Sequence, residues 1–333
     1  ITGTTGMVGF AVLTATLNAG YRVRIAVRKE QDTERVRQLA PVNQYETQIE
    51  STVVPDITVP GAYDAAVKDV DFIIHVASPV AVPPVHDYEK ELIQPAGRGT
   101  LGILESASRE PGVKRVVFTA SVVSVIPAKS VMTGGGDVTY NEKHRVSPQT
   151  EGYSNLFEGY MASKVHALKV TEDFIRDRNP SFDVISIGPG FVIGRDNTVT
   201  EVAKITKGSN GLLIGQLLGE AAPFSLSSIF THIDDVALLH VKSLDPAIKG
   251  NQYFMVTAEG PDGPTWAEAL NIVKRHYPKE VYASAFHFDT PASTAHIKTD
   301  SSHTEKTFGM KFKTLEQATV DLVDHYLELM ERR

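Results

Sequence analysis

Short apolar runs alternate with stretches of helical length through the first half of this chain, and no other feature narrows its fold as far. Residues 22–27, 71–76, 115–119 and 183–187 are rich in Val, Ile and Phe and too short for helices, so each reads as a buried strand. Parallel strands need a long crossover between them, and the intervening helical stretches supply it. The expected architecture is α/β, a Rossmann-type doubly wound parallel sheet covered on both faces. Residues 232–244 and 253–257 read as a further helix and strand of the same sheet. Elsewhere after Gly188 the pattern loosens into glycine- and proline-rich stretches with helices, a smaller interleaved C-terminal region. The expected division is 1–188 with 231–257 for a cofactor-binding sheet domain, and 189–230 with 258–333 for a substrate-binding region. Ligands of such sheets sit beyond the carboxyl ends of the strands, which directs attention to the residues just after each apolar run.

Composition permits such a core and excludes several functions. The chain has 333 residues, of which 42% are hydrophobic and 22% charged, the ordinary globular range. Its net charge of −7 comes without long runs of one sign, so no basic face is expected for nucleic acid or an anionic membrane. No cysteine is present; disulfides, thiolate nucleophiles and cysteine-held metals are therefore ruled out, and a cytoplasmic location fits. No apolar run is long enough to span a bilayer. The sequence opens at Ile1 directly on a glycine motif, so a strand ahead of that motif, and any targeting segment, would lie before residue 1.

That motif is Thr2-Gly3-Thr4-Thr5-Gly6-Met7-Val8-Gly9, with glycines three apart just before the apolar helical run 10–17. One glycine serves a tight turn and another lets the backbone approach a pyrophosphate, while the helix N-terminus offers free N–H groups. The bare spacing also fits an ordinary strand-to-helix turn; the strand 22–27 one helix later is what a βαβ unit requires. Thr2, Gly3, Thr5, Gly6, Met7 and Val8 are thus candidate cofactor contacts. At the end of the second strand an acidic residue would bind the ribose 2′-hydroxyl of NAD, but the chain reads Val27-Arg28-Lys29. An arginine there suits a 2′-phosphate, which makes NADP(H) the expected cofactor. Arg35 adds a second cation if the next helix begins near Asp32 and Thr33 as caps. The plainer alternative for Arg28, Lys29 and Arg35 is solvated surface charge.

Tyr160-Met161-Ala162-Ser163-Lys164 opens a long helical pattern and places a phenol and an ammonium one turn apart on one face. A phenol serves as a general acid near neutral pH when a cation stabilises its anion. A core tyrosine beside a snorkelling lysine is the bland alternative. Ser121 shifts the balance, because Val117-Phe118-Thr119-Ala120-Ser121 delivers a hydroxyl to the carboxyl edge of the sheet. Ile187-Gly188-Pro189-Gly190-Phe191-Val192 ends another strand, in an expected turn whose backbone amides suit a nicotinamide carboxamide.

With these elements in this order, the chain resembles the extended short-chain dehydrogenase/reductase family, in particular the branch of plant dihydroflavonol reductases and fungal ketone and methylglyoxal reductases. The resemblance runs through the glycine turn, Val54-Pro55-Asp56-Ile57, His75-Val76-Ala77-Ser78-Pro79, Phe118 to Ser121, Tyr160 to Lys164, Pro189-Gly190 and Thr231-His232-Ile233-Asp234-Asp235-Val236-Ala237. It implies that Tyr160 is the acid, that Lys164 binds the nicotinamide ribose and tunes the tyrosine, and that Ser121 orients the carbonyl. It further implies that Asp56 and Ile57 flank the adenine, that Ala77, Ser78 and Pro79 wall the cofactor, that Thr119, Pro189, Gly190 and Val192 border it, and that Arg28 meets the 2′-phosphate. Three departures stand out. The run 153–160 lacks the Asn-Trp-Tyr-Cys stretch of cinnamoyl-CoA reductases, Thr119-Ala120 replaces the commoner Thr-Ser, and Arg98-Gly99 stands where plant relatives carry Asn-Gly.

The resulting expectation is an NADPH-dependent carbonyl reductase acting on an aldehyde or ketone with apolar groups, as a monomer or homodimer. Val80, Val82, Val123, Ile126, Phe157 and Phe191 are the expected lining of the substrate pocket. Its rivals are an NAD-retaining nucleotide-sugar epimerase or dehydratase and a non-catalytic dinucleotide sensor. Against the first, the only cations between Gly188 and Phe230 are Arg195, Lys204 and Lys207, few for a diphosphate. No metal is expected: His232, Asp234 and Asp235 read as a capped helix start, and His75 as a core histidine. The glycines at 134–136 and 208–219 are read as loops around the substrate.

Overall fold

The computed structural model describes residues 1–79, 84–148, 152–221, 225–282, 286–287 and 293–331. In chain order the first elements are α1 (Met7–Asn18), β1 (Val23–Val27), α2 (Glu30–Gln38), β2 (Ile49–Val53), β3 (Phe72–His75), α3 (Gln94–Ser108), β4 (Arg115–Thr119), α4 (Ala128–Thr133), β5 (Thr139–Tyr140), α5 (Leu156–Arg178) and β6 (Asp183–Pro189). Then follow β7 (Phe191–Ile193), α6 (Gly208–Leu217), β8 (Leu226–Ser227), β9 (Phe230–His232), α7 (Ile233–Lys242), β10 (Gln252–Val256), α8 (Trp266–His276), α9 (Pro278–Tyr282), β11 (Thr294–Ala295), β12 (Lys298–Thr299), α10 (Ser302–Phe308) and α11 (Leu315–Glu331).

The chain divides into two compact units. The first comprises Ile1–Ile126, Lys143–Gly188 and Ala237–Phe254; the second comprises Pro127–Glu142, Pro189–Val236 and Met255–Arg333. Residues 127–142, which strand periodicity alone keeps with the sheet domain, therefore group with the second unit.

In the first unit β1 and β2 run parallel, and β10, β6, β4 and β3 lie side by side, with β3, β4 and β6 mutually parallel. Thr2 joins the two sets through parallel bridges to Ala26 of β1 and His75 of β3. The strand order is thus β2, β1, Thr2, β3, β4, β6, β10. The chain reverses direction of travel across the sheet at Thr2, so the glycine turn opens at the switch point where such sheets bind ligands. Two apolar layers hold the helices on. Phe10, Leu13 and Leu17 of α1 pack with Ile25, Val27, Val36 and Ile49, while Ile103 and Leu104 of α3 and Phe174 of α5 pack with Ile73, Val116, Phe118 and Val184. Each such side chain withdrawn from water contributes about 1.5–3 kcal/mol.

The second unit has its own core, in which Leu213, Ile214 and Leu217 of α6 meet Trp266, Leu270 and Val273 of α8 and Leu322, Val323 and Tyr326 of α11. Here the expectation of a glycine loop over 208–219 is corrected, because residues 208–217 are helix α6. Its glycines permit close packing: a Cβ at Gly211 would lie 2.3 Å from the Thr206 carbonyl oxygen. The expected turn after residue 187 is also corrected. Strand β6 continues through Pro189, and Phe191 starts β7, which pairs parallel with β9.

Candidate active site

The glycine turn shows which of its glycines the fold needs. Gly3 has φ +76°, and a Cβ there would lie 2.8 Å from the Ala77 nitrogen; one on Gly9 would lie 2.0 Å from the Gly3 carbonyl oxygen. Gly6, the N-cap of α1, is different, since its nearest such neighbour is 3.8 Å away and its absent side chain opens onto solvent. The half-buried Met7 and Val8 form the first helical turn after it, where N–H groups have no partners within the helix. A bare glycine backbone at the positive end of a helix is the cradle a pyrophosphate requires.

Beside this turn a cavity of about 360 Å³ collects Thr2, Gly3, Thr5, Arg28, Arg35, Ile57, Ala77 and Ser78, together with Lys29 and Tyr63. These groups of the first unit, from Thr2 to Ser78, meet here because β1, Thr2 and β3 end side by side. Arg35 donates to the Thr5 carbonyl at 3.0 Å, and Arg28 is exposed at the end of β1. Helix α2 starts at Glu30, one turn earlier than expected, so Asp32 and Thr33 lie inside it instead of capping it. The threonine Oγ1 of Thr4, also lining the cavity, is buried without a hydrogen-bond partner among the described residues, as is the Tyr63 hydroxyl.

Thr2 and His75 brace the floor. Thr2 Oγ1 accepts from the N–H groups of Val76 (3.1 Å) and Ala77 (3.0 Å), which leaves its proton for His75 Nδ1 at 3.1 Å. Burial, reinforced by the Lys164 ammonium, lowers the imidazole to about 3. His75 is therefore neutral and structural. Asp56 accepts from the Thr58 hydroxyl (2.7 Å) and N–H (2.8 Å), which hold it below the usual carboxylate range. Its exposed carboxylate caps its own turn and does not line the cavity, whereas the neighbouring Ile57 does. Pro79 is half-buried beyond the lining, and Val80 and Val82 lie outside the described residues.

Helix α5 presents the tyrosine and lysine. Asn155 caps it, its Oδ1 accepting from the Glu158 N–H at 3.0 Å, while the Glu158 carboxylate accepts from the Ser154 N–H at 2.7 Å. Tyr160 is thereby fixed in the second turn, 36% exposed, with Phe157 stacked at 6.4 Å and the Lys164 nitrogen 5.7 Å from the ring centroid. The same helix packs on the turn Val122–Ser124, whose N-cap is Ser121. Ser121, Tyr160 and Lys164 thus belong to two elements of the first unit that pack on each other. The strand that delivers Ser121 is anchored: Thr119 Oγ1 meets His240 Nε2 at 2.7 Å, the Ala120 N–H donates to the Ile187 carbonyl at 2.7 Å, and the Tyr253 hydroxyl donates to the Ser121 carbonyl at 2.8 Å. Neither His240 nor Tyr253 stands out in the sequence, being 121 and 132 residues away from its partner.

Among the expected pocket residues, Phe157 is beside the tyrosine, but Ile126 is fully buried and Val123 nearly so. These two are core residues, because the turn after Ser121 folds inward. Pro189, Gly190, Phe191 and Val192 belong to the second unit. The amides of Gly190 and Phe191 are already spent on Val256 and Ile229, so they are not free to grip a carboxamide. Phe191 packs edge-on against Trp266. The helix start at α7 is capped by an unexpected group: His232 Nδ1 accepts from the Asp234 N–H at 3.1 Å.

The sequence profile of the NAD dependent epimerase/dehydratase family matches residues 1–255. Ketoreductase CTB6 of Cercospora nicotianae is 34% identical over 340 residues, covering 100% of this chain and 95% of that protein. Ketoreductase sphI of Aspergillus fumigatus is 33% identical, covering 98% of this chain and 97% of that one. Among solved structures, yeast methylglyoxal/isovaleraldehyde reductase Gre2, complexed with NADPH, superposes with a TM-score of 0.83 at 23% identity, over 100% of this chain and 98% of its own.

Proposed function

This chain belongs to the NAD-dependent epimerase/dehydratase family, and we propose that within it the protein is an NADPH-dependent carbonyl reductase, converting an aldehyde or ketone with apolar groups into an alcohol. Relatives named ketoreductases support an NAD(P)-dependent oxidoreductase. The observation that carries the finer reading is the packing of α5, which bears Tyr160 and Lys164 one turn apart, on the turn capped by Ser121. The preference for NADPH rests on Arg28, Lys29 and Arg35 lining the cavity where an NAD enzyme would place an acid.

When bound, the cofactor supplies the hydride. The chain's own groups orient and protonate: Ser121 Oγ donates to the carbonyl oxygen and holds it in line, and Tyr160 Oη gives that oxygen its proton. Lys164 stabilises the phenolate left behind and grips the nicotinamide ribose. Gly6 and the first turn of α1 take the pyrophosphate, Arg28 the 2′-phosphate, and Ile57 the adenine. The cysteine-free composition favours a cytoplasmic location.

The family profile keeps an epimerase or dehydratase in view as the second reading. Such an enzyme must bind a diphosphate, yet of the three cations between Gly188 and Phe230, Arg195 is paired with Glu328 and Lys204 with Glu201. The deciding experiment uses NADPH deuterated at the transferred position. A reductase leaves one deuterium on the alcohol carbon for each NADP⁺ formed. An epimerase returns the hydride and shows no net oxidation, and that outcome would replace our reading.

A further inference from the structure

The Ser121 carbonyl is held more firmly than a turn of its length requires. It accepts from the Ser124 N–H at 3.0 Å, from the Ser124 hydroxyl, and from the Tyr253 hydroxyl at 2.8 Å. The first two close the short turn itself. The third comes from β10, 132 residues along the chain. Tyr253 is 5% exposed, and burial raises its phenol well above the ordinary value, so the hydroxyl keeps its proton and acts as a donor throughout the physiological range. The Arg145 guanidinium lies over its ring at 5.6 Å.

The neighbouring strand is cut to fit this phenol. A Cβ on Gly188 would lie 1.8 Å from the Tyr253 hydroxyl oxygen and 2.2 Å from Cζ, so only glycine admits the ring there. Gly188 has no positive φ and needs no unusual backbone; the tyrosine is the reason for it. Ser121 itself is extended, with φ −162° and ψ 151°, and its Oγ points back to the Val123 N–H at 3.4 Å, a long contact. The hydroxyl is therefore weakly engaged by its own turn and available to another acceptor, while the backbone beneath it is pinned.

From this the geometry points to Tyr253 as a positioning residue for Ser121: its hydroxyl fixes the Ser121 peptide so that Oγ stays aimed at the carbonyl oxygen. Gly188 is the matching space that lets it do so. The assignment rests on the reductase reading above, since it presupposes that Ser121 acts on substrate. Tyr253 touches no reacting atom; its hydroxyl meets the Ser121 carbonyl and the Ser124 hydroxyl that donates to the same carbonyl, so it acts through the Ser121 turn.

A double-mutant cycle on the full chain tests this. Tyr253→Phe keeps the ring and its cation contact, and the Ser121 carbonyl keeps two donors, so folding should survive. One neutral hydrogen bond removed from the positioning of a reacting group should lower kcat about 3- to 10-fold. The KM for the carbonyl substrate, the NADPH dissociation constant and the melting temperature should change little. In a Ser121→Ala background the same substitution should cost less than about twofold, because the hydroxyl it positions is gone. An equal loss in both backgrounds, or a loss that follows melting temperature or NADPH affinity, overturns the proposal and leaves Tyr253 a packing residue. Tyr160→Phe and Ser121→Ala measured alone report separately on the reductase reading: near-normal turnover in either would remove the premise, an outcome distinct from additivity in the cycle.

Discussion

At the scale of single residues, the groups assigned to chemistry divide by how local their signal is. Tyr160 and Lys164 are four apart on one helix, so their convergence is a property of the α-helix and is visible in the sequence. Removing only the Tyr160 hydroxyl, as Tyr160→Phe, should leave folding and NADPH binding intact while turnover falls by about 10²–10⁴, the contribution of a positioned general acid. Single-turnover kinetics with a reactive ketone check this, and near-normal rates would dismiss the constellation. The proposed role of Arg28 rests on a different signal, its place at the end of β1 where an acid would bind the ribose of NAD. With Arg28→Ala, the KM for NADPH should rise about 10- to 100-fold and that for NADH far less, since one charge-assisted contact to phosphate is lost. Equal increases for both cofactors would return Arg28 to the solvated surface. Asp56 adds a local feature that no motif match discloses: its Oδ1 accepts from the Thr58 N–H and hydroxyl.

Among elements, two buried charged groups decide how strands and helices join. Arg115 of β4, 5% exposed, forms a two-pronged contact with Asp183 of β6 at 2.5 and 2.8 Å, and donates to the carbonyls of Ser243, Asp245 and Ile248. Arg115→Leu would strand a carboxylate and three carbonyls, and should lower stability by about 3–5 kcal/mol in denaturant titration. A loss below about 1 kcal/mol would mean that water replaces the guanidinium. Asp235, in the first turn of α7, is raised to about 6 by burial, although it accepts from the Lys313 N–H at 2.7 Å. A carboxyl whose folded value exceeds its unfolded one binds its proton more tightly when folded. Its cost is therefore absent below about pH 4 and fully felt above about pH 6. Asp235→Asn keeps an acceptor for Lys313, and should be more stable than the parent at pH 7 by about 1–3 kcal/mol, with the advantage vanishing near pH 4. A constant difference across that range would contradict the burial argument. Helix α6 belongs to this scale as well. Its glycines lower helix propensity, and burial of Leu213, Ile214 and Leu217 outweighs that cost.

For the whole molecule, electrostatics and topology set the terms. The chain carries a net charge of −7, yet the cavity beside the glycine turn is lined by Arg28, Lys29 and Arg35. Binding of a phosphate-rich cofactor against an opposing net charge should depend on those local cations. NADPH at saturation should raise the melting temperature more than NADH does, and added salt should shrink the difference as exposed charges are screened. A salt-independent difference would assign the selectivity to shape instead. The sequence by itself determined the elements whose cause is local: strands from apolar runs, the glycine turn from the conformation at Gly3, the tyrosine-lysine pair from helical spacing, and the cation at the end of β1. Only the tertiary structure decided what depends on distant segments meeting. It placed Thr2 between β1 and β3, drew residues 127–142 into the second unit, made a helix of 208–217, buried Ile126, and set Tyr253 beneath Ser121. The reason is physical: a hydrogen bond or a packed contact is short-ranged in space, and which residues come within its reach across 132 positions of chain is settled by the folding of everything between them.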